Sequence, residues 1–184
     1  ATVRRFRRAG INMLRLEAPD NLGCLLDTPV KNSSRNINAA FLNRMHKWMA
    51  ECRQNGLYVY FQLLDFRTFR EGDGVANAAA LGRAAKPCAF FNRKLIELQK
   101  EYARQVLLTP NRYTGLKPIR DPSVAVLELA NEHGLFIMGD TWRKLPPPYD
   151  AEFRALWNAW LLKRYGATTA LDRAWTSADG RKAL

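Results

Sequence analysis

Val124-Ala125-Val126-Leu127-Glu128-Leu129-Ala130 passes without a break into Asn131-Glu132-His133, and this run governs what the rest of the chain can be. A nearly unbroken apolar run matches a strand covered on both faces, the kind found in parallel sheets. The triplet that follows puts an amide, a carboxylate and an imidazole where the strand stops. In parallel α/β folds, reactive groups collect at the carboxyl ends of strands, because the loops there vary without disturbing the packed layers.

Two strands of the same kind are expected upstream. Residues 57–64, Leu-Tyr-Val-Tyr-Phe-Gln-Leu-Leu, have almost no polar interruption, and residues 11–16 form a short apolar run between Gly10 and the Pro19-Asp20-Asn21 turn. Helical spacing fills the intervals. Phe41, Leu42, Met45, Trp48, Met49 and Cys52 fall on one face of a helix over 36–55 that Gly56 stops, and Leu95, Leu98, Tyr102 and Val106 do the same over 92–108. Between 65 and 88 lies an irregular stretch with Gly72, Gly74, Gly82 and Pro87, long enough to suggest a functional loop or lid, with a turn of helix in its Ala-rich part. Residues 111–122 read as a turn-rich connector.

The ends are helical. Arg4, Arg5, Arg7 and Arg8 around Val3 and Phe6 read as the wet face of an amphipathic helix ending near Gly10. After the prolines at 146–148, Asp150 is the expected N-cap of a helix that places Phe153, Leu156, Trp157, Trp160, Leu161 and Tyr165 at core spacing before Gly166. A short helix over 168–175 with a Thr cap is expected to follow. Alternating helices and buried-type strands imply parallel βα units with right-handed crossovers. Three strands fall short of the eight in a closed barrel of about 250 residues, or the five or six of an open sheet, so the chain is expected to be a piece of a larger α/β domain.

Composition excludes several classes. With 47% hydrophobic residues over 184 positions, the chain has material for a core and is not disordered. No apolar run approaches the roughly 20 residues of a membrane helix, and no apolar segment backs the basic start, so neither a signal segment nor a membrane partner is expected here. The compartment of the parent protein stays open, secretion or a periplasm included. Cys24, Cys52 and Cys88 are too widely spaced for a metal knuckle and too odd in number for a disulfide framework. The net charge of +12 raises nucleic acid as a partner. The cations are scattered, however, and no helix-turn-helix, zinc-finger or aromatic RNA-binding signature accompanies them, so a nucleic-acid role stands only as the lesser alternative.

The three strand ends supply Arg15 and Glu17, then Asp65 and Arg67, then Asn131, Glu132 and His133. An acid, an amide and a guanidinium on one rim suit a polyhydroxylated substrate. Glycoside hydrolysis needs one carboxyl group to protonate the leaving oxygen and a second to attack or to activate water. Glu132 is the best candidate for the acid. Arg15 at its strand end needs a partner such as Glu128 or Glu132, and Glu128, inside the strand, is expected to be a buried structural partner, not a catalyst.

Several stretches together resemble a known family: Gly10-Ile11-Asn12-Met13-Leu14-Arg15-Leu16, Gly56-Leu57-Tyr58-Val59-Tyr60-Phe61-Gln62-Leu63, Asn111-Arg112-Tyr113-Thr114-Gly115-Leu116, the run from Asp121-Pro122-Ser123 to Asn131-Glu132, and Lys163-Arg164-Tyr165-Gly166. In order and spacing they look like the second, third and fourth βα units of the cellulase-like, family-five-type retaining glycoside hydrolases built on the (β/α)8 TIM barrel. That resemblance implies a single partial catalytic domain over 1–184, with Glu132 as general acid/base, Asn131 on the sugar 2-hydroxyl and Arg15 ordering and balancing the carboxylates. Asp65, where many members carry a His pair, His133 and Trp142 are the further expected substrate-binding residues. The family's nucleophile is a glutamate from the seventh strand, which has no counterpart here, so the isolated chain is expected to be inactive and to self-associate through exposed sheet edges.

Other chemistries lack their signatures. Asp140, Asp150, Asp172 and Asp179 fall in turns or caps, and His46 and His133 stand apart from Cys or carboxylate spacing, so no metal is expected. There is no glycine-rich phosphate loop and no serine-hydrolase elbow, and no cofactor is expected. Trp142, Phe136 and Phe69 follow strand ends and are candidates either for stacking on sugar or for packing the loops. The competing functional class is a noncatalytic carbohydrate-binding or scaffold protein that keeps the rim without the chemistry.

Overall fold

The computed structural model describes residues 2–21, 23–136 and 143–181. Three strands, β1 (Met13–Leu16), β2 (Tyr58–Gln62) and β3 (Val124–Glu128), form one parallel sheet in the order β1-β2-β3. Arg15 pairs with Tyr60 in register, Tyr60 with Val126 and Gln62 with Glu128. A register shift at Val59/Tyr60 gives β3 one extra residue, after which Val126, Leu127 and Glu128 stand level with Tyr60, Phe61 and Gln62. The protein is thus mixed α/β with a small parallel sheet, as expected.

Helices α1 (Thr2–Arg8), α2 (Ala39–Gln54) and α5 (Arg93–Leu107) pack on one face of the sheet, with two short helices, α3 (Ala78–Leu81) and α4 (Ala85–Cys88), in the loop after β2. Asn38 and Asn92 cap α2 and α5 by accepting hydrogen bonds from the N–H groups of Phe41 and Leu95. The principal core lies between one sheet face and the helices: Val59, Phe61, Met49, Cys52, Tyr102 and Val106 are its buried centre, with Leu14, Leu16, Val124 and Leu127 packed against it. Burial pushes the Cys52 thiol up to about 11 and the Cys88 thiol up to about 12, so both behave as small apolar groups.

Among the described residues, the other sheet face is open over most of its length, although Gln62 at its carboxyl end is buried. Met13, Tyr58 and Val126 are 37%, 52% and 37% exposed there, and Arg15 and Glu128 share that face with them. For a parallel sheet this is the unusual side, since such sheets are normally covered on both.

The loop after β2 is far from irregular. After a single helical turn (Glu71–Asp73), Val75, α3, a second turn (Gly82–Ala84) and α4 pack with Phe69, Leu95, Leu98, Leu145 and Tyr149 into a second core. Asp73 fastens the loop to residues 33–34 by accepting from the Ser34 N–H at 2.8 Å and from both serine hydroxyls, and Gly72 lies so close to the Asn32 carbonyl that a Cβ would stand 2.1 Å from its oxygen.

Three expectations fail in the last third. α6 (Tyr149–Tyr165) begins one residue before Asp150, and its N-cap is Pro148; Asp150 sits in the first turn, where its charge suits the helix dipole and pairs with Arg154. The cap of α7 (Thr168–Ala174) is Ala167, not a threonine. Leu156, Trp157 and Trp160 are not core: they are 49%, 41% and 47% exposed. The two tryptophans stack on each other at 5.2 Å, with Tyr165 edge-on to Trp160 and to Trp175, and Trp175 tilted against Trp157, so the aromatics pack within a helix pair that rests on the domain through Tyr149 and Phe153.

Candidate functional site

The carboxyl ends of the three strands meet through side chains. Arg15, near the end of β1, donates from Nη2 to Glu128 Oε2 at 2.9 Å and lies 3.5 Å from Asn131 Oδ1. Its guanidinium sits 5.3 Å from the centre of the Tyr60 ring, so the charge crosses the middle strand over an aromatic face. Asn131, just past β3, is placed by its own backbone: its N–H donates to the Leu64 carbonyl at 2.9 Å. Its side-chain Nδ2 then donates to Asp65 Oδ2 at 3.2 Å. Arg15, Asp65 and Asn131, one from each strand end, therefore form a connected set.

The backbone after β2 is held by a residue with no place among the expected site residues. Asp20 is 2% exposed, and its carboxylate accepts from the N–H groups of Asp65, Phe66 and Arg67 at 2.8, 3.1 and 3.1 Å. Burial pushes the Asp20 carboxyl up, and those three N–H groups pull against it. A Pro-Asp pair in a turn was the available signal; which N–H groups it caps depends on the fold.

Lys86 was also missed. Its Nζ donates to Asp65 Oδ1 at 2.6 Å, with the lysine side chain 7% and the aspartate 1% exposed. The ammonium rests 4.5 Å from the centre of the Phe66 ring. Nothing local in Ala85-Lys86-Pro87 marks this lysine, because its partner lies 21 residues away and the intervening loop does the folding.

Asp65 thus lies beneath the rim, engaged at both oxygens. His133 is also buried, at 6% exposure, with its ring edge-on to Phe90 at 6.0 Å and its Nε2 without a hydrogen-bond partner. Burial first, and Lys86 second, hold its pKa below the ordinary value, against a backbone hydrogen bond to Asp65. Arg67 turns away from the rim to donate to Ser34 Oγ, the Ser34 carbonyl and the Leu98 carbonyl. Phe69 is 5% exposed in the second core under the Arg67 guanidinium, which leaves no face for a sugar, whereas Phe136 is 80% exposed. Trp142 and Asp140 lie outside the described residues.

Glu132 is exposed, and among the described residues no hydrogen bond or ion pair engages its carboxylate. Its backbone is left-handed, with φ of 54°, one of three non-glycine residues with positive φ among the described residues. A glutamate there is strained, and such strain gathers at functional sites. Among the described residues no three of His, Cys, Asp and Glu converge as a metal set, and no helix is long and apolar enough to cross a membrane. The chemical capacity of the rim is therefore one free carboxylate beside an oriented amide and an exposed guanidinium.

Comparison of the chain with protein-family models gives no match, and comparison with curated proteins gives none either.

Proposed function

We propose that the chain is part of a retaining glycoside hydrolase acting on O-glycosidic bonds of a polysaccharide or oligosaccharide, its three strands being the second to fourth of a closed (β/α)8 barrel. The observation that carries this reading is the position of Glu132: free and exposed, it directly follows an asparagine tied to the other two strand ends by Arg15 and Asp65. The uncovered sheet face supports the barrel, because further strands would close over Met13, Tyr58 and Val126. So does an open groove of about 360 Å³ beside β1, lined by Arg15, Leu16, Phe41, Arg44, Met45 and Trp48, where another βα unit would pack.

In this reading Glu132 protonates the leaving oxygen while a second carboxylate, from outside these strands, attacks the anomeric carbon; Glu132 then takes a proton from the water that releases the sugar. Asn131 offers its remaining amide hydrogen and oxygen lone pair to the 2-hydroxyl, and Arg15 orders and charge-balances the carboxylates of the rim. The test is turnover of glycosides by a longer polypeptide that includes this chain. Glu132→Gln is expected to cut cleavage of poor leaving groups by about 100-fold or more, and activated aryl glycosides much less. Equal activity of variant and parent would remove Glu132 as the acid.

A second reading, a sugar-binding protein without turnover, draws on one observation. Glu128 and Asp65 are both taken by cations, so neither is available as a second reacting carboxylate beside Glu132. Oligosaccharide binding lost in Asn131→Ala, with no cleavage by the longer protein, would favour it.

A further inference from the structure

We infer that Lys86 is a positioning residue: lodged beneath the strand ends, it fixes the Asp65 carboxylate, which fixes the Asn131 side chain with its oxygen toward Arg15. The inference concerns how the rim is built and does not depend on the hydrolase reading.

Asn131 sits between opposite charges. Its Nδ2 faces Asp65 Oδ2 at 3.2 Å and its Oδ1 faces Arg15 Nη2 at 3.5 Å. Only one amide orientation satisfies both neighbours: NH2 toward the anion and oxygen toward the cation, since the flipped amide would set oxygen against carboxylate and NH2 against guanidinium. The anionic end of this clamp is the Asp65 carboxylate, and a charge with 1% of its side chain exposed costs least when a cation accompanies it.

Lys86 is that cation. Arg67, the neighbouring alternative, spends its guanidinium on Ser34 and on the Leu98 carbonyl. The lysine has little freedom to leave, because all four residues of α4 are buried and its ammonium lies over Phe66. The loop after β2, expected as a lid, therefore contains a fixed wedge whose single charge reaches Asn131 through Asp65.

The test uses NMR of the full chain carrying Lys86→Met, which keeps the apolar stem and removes the charge, with Lys86→Arg as the conservative variant. In Lys86→Met the Asn131 side-chain NH2 signals are expected to shift, with hydrogen exchange at least about tenfold faster, because the carboxylate that holds the amide loses the cation that fixes it. Lys86→Arg should restore both the signals and the protection. Unchanged Asn131 signals and exchange in Lys86→Met would overturn the inference. Should Lys86→Met fail to fold, the double variant with Asp65→Leu removes both charges and leaves no side-chain acceptor for Asn131 Nδ2; the same loss of Asn131 protection is expected, and retained protection overturns the proposal. None of these signals involves a sugar, so failure to cleave glycosides would remove the hydrolase reading and leave this result standing.

Discussion

Arg15 reaches across the middle strand to Glu128: the side chains meet at 2.9 Å although β1 and β3 are not neighbours in the sheet. The tie crosses an open face, with the two side chains 40% and 20% exposed, where water and salt screen most of its Coulomb energy. Its structural effect is orientation. Arg15→Met should therefore melt within about 2 °C of the parent chain. The same change should free the Asn131 oxygen, and in an active longer protein turnover should fall at least about tenfold. A large loss of thermal stability with unchanged turnover would make Arg15 a structural residue only.

Glu132 carries a backbone cost that glycine would not. At φ of 54° a non-glycine residue is strained by about 1–3 kcal/mol, and glycine gives back part of the relief through its unfolded-state entropy. Glu132→Gly should stabilise the chain by about 1 kcal/mol in urea unfolding, while Glu132→Ala, which removes the carboxylate and keeps the strain, should not. Equal stability of the two variants would mean that the loop relaxes around either residue.

The elements were legible because their patterns are local. Alternation and helical spacing mark β1, β2, β3, α2 and α5, each within a few residues. β2 ends at Gln62, short of its apolar run, although Leu63 still donates to the Glu128 carbonyl and Leu64 accepts from the Asn131 N–H. Spacing misled at Trp157 and Trp160, since a helical stripe records what a helix can cover, not whether anything covers it. Of the rim, Arg15, Asn131 and Glu132 could be named from strand ends alone. Asp20 and Lys86 could not, because each meets the end of β2 through a loop path that local pattern does not specify.

Two buried histidines give the stability a pH dependence. Burial, with Arg112 near His46 and Lys86 near His133, holds both below the ordinary 6.5. The unfolded chain takes up these protons near pH 6.5 while the native chain does so only at lower pH, so the unfolded state binds more protons in that window. Their contribution is complete above it and is lost as the pH falls. Asp20, whose carboxyl burial pushes up, acts in the opposite direction, so the histidine effect is the difference between variants. Thermal unfolding across this window should show a steeper acid loss for the parent chain than for the His46→Asn/His133→Asn variant. Parallel curves would mean that neither histidine is held neutral.

The uncovered sheet face offers the sharpest test of the barrel. Tyr58 and Val126 are 52% and 37% exposed on a face that a parallel sheet normally buries. In the 184-residue chain, Tyr58→Glu with Val126→Glu places two charges in water; melting should shift by no more than about 2 °C, and self-association, followed by sedimentation, should weaken as the apolar patch is broken. In a longer protein whose further strands close over this face, the same pair buries two unpaired carboxylates, a cost large enough to prevent folding of a marginally stable domain. Soluble, folded longer protein carrying both glutamates would therefore mean that nothing closes over the face, and the barrel would fall whatever the fate of Glu132.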